Sequence, residues 1–597
     1  MLARALAGLA CLALAHPALG VQVWTAGATE KIRPAAAARA APDARISAAR
    51  NEFEAFQLVV SGAATNVRAT ATSLSGSRQI AVRLFREALI TLAYPSAVDG
   101  GTGPWPDALV PAVDEVAGEA RNAFPFTVPA GESRAIWAEV HVPPDAEAGE
   151  YRGHVRVTWD GGEATVPVAL TVWPFTLPST ATLKSAFVFS YGAIPSAHGL
   201  TGDAHSALRA RYGELALDHR VTLSRADDGN PDLAHLSSFF GPQLDGGAGT
   251  ALAGARLTSF EFVGRSDYAG WASWFAERSW GDRLFQYTCD EPPLTCAWTD
   301  IPARARAARA AVPPLRTLVT TSIQEADAHG VTDSIDIMVP VVNFMDDRAG
   351  SRYAGSQRAR YDAFLEKPGR ELWLYQSCMS HGCGGTVNIG SPSETDRYFT
   401  GWPSYMIDAS AVRNRAMEWL SFKYRATGEL YYETAMAYFR DPWTSQWDFS
   451  GNGDGTLFYP GTPARIGGSS HVPVASIRLK MIREGMEDYE YLALLAAAGE
   501  EAYAREVVDA LFPAAYATEV APAALMAARE KLARRIVELG LAAAPGDPAS
   551  LEVAPGEPAP LAPGTVPVSG SGCGSTGAAG IVALLGLAGC LWRRRRR

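Results

Sequence analysis

The sequence predicts a multidomain protein: an all-β sandwich followed by an α/β barrel of the (β/α)8 TIM type with C-terminal helices. Up to residue 178, short segments of alternating polar and apolar residues are separated by turn residues, which is typical of a sandwich. Beyond that point strand-like and helical segments alternate, as they do in a barrel of parallel strands. A chain of 597 residues with 48% hydrophobic residues can form several cores.

Residues 1–20 have the features of a secretory signal peptide. They contain one positive charge, at Arg4, then an apolar stretch and a small-residue end at Ala18-Leu19-Gly20. We expect cleavage before Val21 and export of the chain; a buried N-terminal helix is the alternative. Export would permit disulfide bonds.

Residues 21–178 are predicted to form the N-terminal β-sandwich. Candidate strands lie at residues 56–60, 135–142 and 151–157, and turn-forming residues such as Pro143, Pro144 and Gly149 separate them. The pattern ends in a proline-bracketed hinge at residues 173–178.

Residues 179–500 are predicted to form the barrel, and residues 501–544 to form helices that pack on it. Helical patterns, at residues 301–311 and 411–423 among others, separate several of the strand candidates. These candidates are residues 183–190, 220–225, 257–262, 283–289, 316–322, 335–343, 371–377 and 429–438. Eight parallel strands with intervening helices would close a barrel, and a doubly wound open sheet is the alternative.

The C-terminal end of the sequence predicts a tether. Residues 545–572 are rich in Pro, Gly and Ala and contain no Lys or Arg, which indicates a flexible stalk. Residues 573–597 contain Cys573, a short apolar run and five terminal arginines. This tail resembles the C-terminal sorting signals of myxobacteria, which implies tail removal and anchoring at the cell surface or outer envelope. A simple membrane anchor is the alternative.

Charge and cysteine content exclude some classes of function. Without the six basic residues of the leader and tail, 47 basic residues face 63 acidic ones, so the body has a formal charge of −16. Such a body repels nucleic acid. Cys289, Cys296, Cys378 and Cys383 allow three disulfide pairings, of which the local one is simplest. A zinc loop at residues 378–383 would lack a second ligand pair, so no metal and no cofactor is implied.

The most informative motif is Cys289-Asp290-Glu291-Pro292-Pro293, which ends an apolar strand candidate. Two adjacent carboxylates at the C-terminal end of a barrel strand lie where barrel enzymes place their catalytic groups. A protonated carboxyl beside an ionised one can break a glycosidic bond. Side chains of neighbouring strand residues point to opposite faces, so both can face one pocket only if the strand ends here. A solvated turn is the alternative.

A series of motifs between residues 441 and 492 resembles the catalytic domain of glycoside hydrolase family 123 and its relatives, known as domain of unknown function 4091. The motifs are Asp441-Pro442-Trp443, Gly453-Asp454-Gly455-Thr456-Leu457-Phe458-Tyr459-Pro460-Gly461, Ser476-Ile477-Arg478-Leu479 and Arg483-Glu484-Gly485-Met486-Glu487-Asp488-Tyr489-Glu490-Tyr491. Shorter pieces at residues 51–57, 105–109 and 143–146 resemble the N-terminal domain of the same family. Together the resemblance covers residues 21–495.

The resemblance implies a retaining, substrate-assisted β-N-acetylgalactosaminidase. The family's consecutive Asp-Glu pair maps onto Asp290 and Glu291. An ionised Asp290 would accept the N–H of the sugar's 2-acetamido group, whose carbonyl oxygen attacks the anomeric carbon. Glu291 would be the general acid and then the general base, and we expect the charge of Asp290 to raise its pKa.

Four residues are predicted to bind the sugar. Tyr432 stands where many family members have Trp, and Trp402 and Trp443 could stack on sugar rings. Trp447 is a further candidate for stacking, in addition to these four residues. Asn343 closes a strand candidate and could bind a hydroxyl group. The alternatives are core aromatic residues and, for Asn343, a turn or helix cap.

The sequence also allows alternatives to a substrate-assisted glycosidase. Glu291 and Glu433 could form the carboxylate pair of a double-displacement glycosidase, although Glu433 could instead belong to a structural ion pair. The protein could also be a non-catalytic carbohydrate-binding surface protein. Asp448, Asn452 and Asp454 faintly resemble a calcium loop, but a turn is favoured.

The charged residues of the last family motif are predicted to be architectural. They lie on one predicted helix at spacings that favour mutual ion pairs, and they are Arg478, Arg483, Glu487 and Asp488.

Overall fold

The computed structural model describes residues 20–225, 227–380, 382–384 and 389–541. The leader up to residue 19, the stalk and the C-terminal tail lie outside the described residues. Within the part of the chain that is described, no helix is long and apolar enough to cross a membrane.

The N-terminal part of the chain forms two β-sheets. Its strands are β1 (Gln22–Gly27), β2 (Ala44–Arg50), β3 (Glu52–Ser61), β4 (Ala64–Ala71), β5 (Leu74–Ser75), β6 (Gln79–Ile80), β7 (Val82–Leu92), β8 (Gly103–Pro111), β9 (Phe126–Val128), β10 (Ser133–Val142), β11 (Gly149–Trp159) and β12 (Gly162–Thr176). One sheet has the order β1-β3-β10-β7-β8, and the other β2-β12-β11-β4-β9 with β5 and β6 attached to β11. All neighbours are antiparallel except β2 and β12.

The two sheets share one apolar core. Leu58 and Ile136 from the first sheet and Val155 and Val168 from the second are buried in the same cluster. Along β11 and β12 buried valines alternate with more exposed residues, because successive side chains of a strand point to opposite faces. Residues of both sheets therefore contribute to one apolar core.

The C-terminal part of the chain contains a parallel sheet and several short hairpin strands. Its strands are β13 (Lys184–Phe187), β14 (Phe260–Glu261), β15 (Leu284–Cys289), β16 (Arg316–Val319), β17 (Ile337–Met338), β18 (Asp346–Asp347), β19 (Gly355–Ser356), β20 (Glu371–Tyr375), β21 (Gly428–Tyr431), β22 (Trp447–Asp448), β23 (Gly451–Asn452), β24 (Phe458–Gly461) and β25 (Val472–Ala475). The parallel sheet has the order β13-β21-β20-β17-β16-β15-β14.

This sheet is nearly closed into a barrel of seven strands. The eighth candidate, residues 220–225, forms a single parallel bridge from Leu223 to Phe187 instead of a strand. Hydroxyl groups replace the ladder there, since Ser185 Oγ accepts from the Thr222 amide at 2.8 Å and Thr222 Oγ1 accepts from the Thr258 amide at 2.9 Å. The other seven candidates overlap the seven strands that the sheet shows, and β21 begins one residue before its candidate.

Helices lie between the barrel strands and at the C-terminal end. They are α1 (Ala193–His198), α2 (Gly202–Leu217), α3 (Leu233–Phe239), α4 (Gly241–Asp245), α5 (Tyr268–Glu277), α6 (Ile301–Arg309), α7 (Ile323–Ala328), α8 (Asp362–Leu365), α9 (Glu394–Tyr398), α10 (Met417–Lys423), α11 (Pro463–Ile466), α12 (Ile477–Ala497), α13 (Glu501–Leu511) and α14 (Pro522–Glu538). Short 3-10 helices occupy Gly281–Arg283, Trp298–Asp300, Thr332–Ser334, Val342–Phe344, Arg358–Tyr361, Arg413–Arg415 and Met436–Phe439.

Helix α12 joins the sandwich to the barrel. The prediction that its charged residues pair mainly with one another is wrong, because the helix is buried and most of these side chains pair with neighbouring elements. The ion pairs are Arg478 with Asp107, Arg483 with Glu139, Glu487 with Arg220, and Asp488 with Arg415 and Arg529. Buried charges are costly unless paired, so these contacts fix the sandwich on the barrel.

Candidate active site

The adjacent carboxylates lie on a turn directly after β15, at the C-terminal end of the parallel strands. Glu291 has a backbone φ of +42°, a left-handed conformation that ends the strand's alternation. A disulfide between Cys289 and Cys296 closes the loop, and the Leu294 amide donates to the Glu291 carbonyl at 2.8 Å. The strand therefore ends at Cys289, directly before the pair. This meets the condition stated above for both carboxylates to face the same side.

Asp290 is held by two hydroxyl donors on one oxygen. Tyr287 Oη and Thr320 Oγ1 each donate to Asp290 Oδ1 at 2.8 Å. Thr320 follows β16 and also accepts the Glu291 amide at 2.6 Å, so one threonine orders both members of the pair. Among the described residues no hydrogen bond to Asp290 Oδ2 is found, which leaves that oxygen available to a ligand.

Glu291 is held in the same way. Tyr375 Oη, at the end of β20, donates to Glu291 Oε1 at 2.6 Å, and Ser380 Oγ donates to the same atom at 2.5 Å. An oxygen that accepts two hydroxyl groups is the unprotonated one of a carboxylic acid, so a proton on Glu291 would be on Oε2. Within the described part of the chain Oε2 accepts no hydrogen bond.

Burial dominates the electrostatics of Asp290. The pKa of Asp290 is raised, first by burial and then by the charge of Glu291, while the hydrogen bonds from Tyr287 and Thr320 and the charge of Arg225 act in the opposite direction. Burial also raises the pKa values of Tyr287 and Tyr375 well above their ordinary range. Both phenols therefore stay protonated and act as donors near neutral pH.

A second disulfide closes the loop that contains Ser380. Cys378 and Cys383 are bonded, which excludes the zinc-loop alternative, and the structure shows the local pairing for both disulfides. Asp454 fixes the base of this loop, because its carboxylate accepts the amides of Cys378 at 3.2 Å and Met379 at 3.1 Å. Burial raises the pKa of Asp454 to about 7.

A charged pair that the sequence reading missed lies at the same end of the barrel. The Arg225 guanidinium is 3.4 Å from the Glu261 carboxylate, and its side chain is 35% exposed. It also lies 5.7 Å from the centre of the Tyr191 ring. The charge of Arg225 lowers the pKa of Asp290, and its guanidinium could donate to sugar hydroxyl groups.

Two of the four predicted sugar-binding residues are core residues. Trp402 is 1% exposed and its indole donates to the Tyr398 carbonyl, so the prediction that it forms a stacking wall is wrong: its ring is covered. Asn343 is 2% exposed in a 3-10 helix and donates to Tyr398 Oη at 3.2 Å, which makes it a structural residue in this conformation.

The other two predicted aromatic residues are half-buried. Trp443 packs on Tyr459 with ring centres 4.8 Å apart, in a cluster that includes sandwich residues. It therefore lies between the two domains, away from the carboxylate pair. Tyr432 follows β21, and the edge of its ring faces Phe449, with ring centres 5.8 Å apart. Of the four, Tyr432 alone keeps a place near the end of the barrel strands.

Glu433 is occupied by structural contacts. Its Oε1 accepts the amides of Thr434 at 2.9 Å, Ala435 at 3.0 Å and Ser190 at 3.2 Å, and the Ser190 hydroxyl donates to its other oxygen. The side chain is buried, and the expected ion pair is replaced by these donors. Across the described ranges, no group of three or more His, Cys, Asp or Glu residues could hold a metal ion.

A family model for the glycoside hydrolase 123 catalytic domain matches residues 396–495. Residues 396–495 of the chain are thus similar to the catalytic domain of glycoside hydrolase family 123. The match supports glycoside hydrolase activity; it includes β21 and α12, and the carboxylate pair precedes it in the chain. None of the curated proteins matches the chain.

Solved structures support the same fold. A family 123 glycoside hydrolase from Clostridium perfringens, studied for the details of glycolipid glycan hydrolysis, matches with a TM-score of 0.61 at 13% identity and covers 87% of this chain and 100% of that one. At this identity the likeness shows the fold. The alignment with a Parabacteroides merdae β-glucuronidase covers 68% of this chain and 49% of that one at 8% identity. Its TM-score of 0.22 is too low to indicate a shared fold.

Proposed function

We propose that this protein is an exported exo-glycosidase that hydrolyses β-linked N-acetylhexosaminides of the β-N-acetylgalactosaminide type by a retaining, substrate-assisted mechanism. One observation carries the proposal: Asp290 and Glu291 each have one oxygen held by two hydroxyl groups and the other free of protein donors among the described residues. Two adjacent carboxylates with fixed orientations and free outer oxygens suit an acetamido group and a leaving oxygen at the same time.

The first chemical step uses the substrate's own nucleophile. Asp290 Oδ2 accepts the acetamido N–H while the acetamido carbonyl oxygen attacks the anomeric carbon. The bond from that carbon to the leaving oxygen breaks, and the proton on Glu291 Oε2 passes to the leaving oxygen. The products of this step are the free aglycone alcohol and an oxazolinium-like ring whose positive charge is stabilised by Asp290.

The second step regenerates the carboxyl proton. Glu291, now ionised, takes a proton from a water molecule while the water oxygen attacks the anomeric carbon. The bond from that carbon to the acetamido oxygen breaks. Two inversions at one carbon give net retention. Tyr375 and Ser380 donate to Glu291 Oε1 and stabilise the carboxylate between the steps.

The cellular setting is part of the proposal. The leader at residues 1–20 and the tail at residues 573–597 would place the enzyme at the cell surface or outer envelope, tethered through its C-terminus. Its substrates would then be glycans outside the cytoplasm. The Clostridium perfringens protein acts on glycolipid glycans, and a glycan with a terminal β-linked N-acetylhexosamine is the class that we propose here.

The test is hydrolysis of aryl β-GalNAc, β-GlcNAc and β-galactoside by protein spanning residues 21–572, with three matched carboxylate-to-amide variants. We expect hydrolysis of an acetamido sugar that is abolished by Glu291→Gln and Asp290→Asn but not by Glu433→Gln. Activity on the plain galactoside that requires Glu433 would refute substrate assistance. Glycan binding without hydrolysis of any sugar would favour a non-catalytic carbohydrate-binding role.

A substrate series separates the two mechanisms further. Replacing the acetamido group by its mono-, di- and trifluoro derivatives makes the carbonyl oxygen a weaker nucleophile without changing the leaving group. We expect kcat/KM to fall steadily with each fluorine if that oxygen attacks. A rate that does not depend on fluorination would require a protein nucleophile.

A further inference from the structure

Aromatic residues from both domains meet near the carboxylate pair. Tyr94 belongs to the loop after β7 in the sandwich and is 52% exposed. Its ring centre is 5.6 Å from that of Trp447 in β22, which belongs to the barrel half of the chain. Trp447 is half-buried, so an accessible aromatic surface spans the junction of the two domains.

The tip of the β22–β23 hairpin has an unfavourable backbone for its sequence. The two residues between the strands, Phe449 and Ser450, have φ values of +44° and +72°. Hairpin turns of this kind favour Asn-Gly, and a left-handed conformation costs an ordinary residue about 1–2 kcal/mol. The side chain of Phe449 is half-buried and its ring meets Tyr432. An aromatic residue kept at such a position suggests a role in binding.

The hairpin is held beside the loop that orients Glu291. A Cβ atom at Gly451 would lie 2.2 Å from Cys378 Sγ, so the hairpin backbone packs directly on the disulfide loop. Ser380 of that loop donates to Glu291. The aromatic residues of the hairpin are therefore next to the loop that orients Glu291.

The sandwich loop is fixed in the same region. Asn452 in β23 donates from Nδ2 to the Tyr94 carbonyl at 2.8 Å, and its amide donates to Ser96 Oγ at 2.9 Å. Asp408 accepts from the Ser96 hydroxyl at 2.6 Å and from the Ser96 amide at 2.8 Å. The backbone of the loop at Tyr94 is thus held by hydrogen bonds, which lowers the entropy that the loop would lose when a ligand binds.

We propose that Tyr94, Trp447 and Phe449 form a subsite for the sugar to which the terminal residue is linked. This inference rests on the proposed function: Glu291 protonates the leaving oxygen, so the leaving sugar must lie on its side of the pocket. Aromatic faces suit the C–H-rich face of a pyranose ring. The sandwich domain then contributes directly to the recognition of the glycan beyond its terminal sugar.

The test measures the kinetics of the Tyr94→Ala and Trp447→Ala variants on two substrates. One is a disaccharide with a β-linked N-acetylhexosamine on a hexose, and the other is the N-acetylhexosaminyl fluoride, whose leaving group has no ring. We expect KM for the disaccharide to rise about fivefold to tenfold, in the range of an aromatic contact, and kinetics on the fluoride to stay unchanged. Tyr503→Ala, on a half-buried tyrosine of α13, is the control.

Direct binding separates this inference from the proposed function. Calorimetric titration of the Glu291→Gln protein with the disaccharide should show weaker binding when Tyr94→Ala is added, whether or not the natural protein hydrolyses that sugar. Equal losses on the disaccharide and the fluoride, or no loss on either, would overturn the subsite. A loss seen only with glycolipid in vesicles would overturn it in favour of contact with a lipid surface.

Discussion

Replacing Tyr375 by Phe tests the catalytic reading of Glu291 with the loss of one oxygen atom. The phenol donates to Glu291 Oε1 at 2.6 Å and is buried, so the change removes a hydrogen bond to a carboxylate and leaves the ring packing intact. Hydrogen bonds to charged groups contribute about 1.5–3 kcal/mol. If that contribution is lost from the transition state, kcat/KM should fall roughly 10- to 150-fold.

The assay is kcat/KM on aryl β-N-acetylgalactosaminides whose leaving groups differ in acidity. A good leaving group departs without a proton, so the loss of kcat/KM caused by Tyr375→Phe should become smaller as the leaving group becomes more acidic. Tyr459→Phe is the control, because Tyr459 Oη donates to the buried Asp107 carboxylate at 2.7 Å between the domains. That variant should lose thermal stability and keep its kcat/KM.

Ser380→Ala extends the experiment to the second donor. Both hydroxyl groups donate to one oxygen, so the effects of the two substitutions should not add, and the double variant measures their coupling. A loss in Tyr375→Phe that is equal for good and poor leaving groups would refute the assignment of Glu291 as the acid. So would kcat/KM within twofold of the natural protein in both single variants.

Three further predictions concern the disulfide loop, the pH profile and stability. The double replacement of Cys378 and Cys383 by Ser should lower kcat/KM at least about tenfold, because the loop that positions Ser380 opens; unchanged activity in a folded variant would contradict this. Because burial raises the pKa of Asp290, the acidic limb of kcat/KM should lie above about 3.9, the value of an ordinary Asp, and a limb at or below that value would argue against Asp290. Burial also raises the pKa of Glu87 to about 8, so its unfolded form loses the proton near pH 4 while the folded form keeps it. The free energy of unfolding should therefore fall between pH 4 and 8, by at most about 5 kcal/mol, and Glu87→Gln should remove that loss in urea titrations; equal pH dependence in the two proteins would contradict it.

The position of the carboxylate pair could be predicted because it depends on local sequence. Pro292 ends the strand, and the strand is short and apolar, so Asp290 and Glu291 must lie at its C-terminal end. The alternation of strands and helices predicts the parallel sheet for the same reason. The candidate at residues 220–225 forms only a single bridge, and the hydroxyl oxygens of Ser185 and Thr222 accept the amides of Thr222 and Thr258 there.

The residues around the carboxylate pair come from distant parts of the chain. Their common location, at the C-terminal ends of the barrel strands, can be recognised only when the strands are known. Thr320, Tyr375 and Glu261 each stand at or directly after the end of a barrel strand, and a search for polar residues at those ends would have found them. The prediction for Trp402 failed for a different reason. Large aromatic side chains occur both in cores and on sugar-binding surfaces, so the residue type alone does not distinguish the two, and Trp402 is buried.

The charges of α12 show why composition and spacing mislead for a buried helix. Spacings of three and four residues favour pairing along an exposed helix, where water is the competing environment. Here the helix is covered by the sandwich and by α14, so most of its charges are paired with opposite charges on neighbouring elements, as Arg478 is with Asp107 and Asp488 with Arg529. The motif that resembles the family is therefore part of a domain junction, because Arg478 and Arg483 pair with Asp107 and Glu139 of the N-terminal sheets. Its charged residues make contacts within the protein.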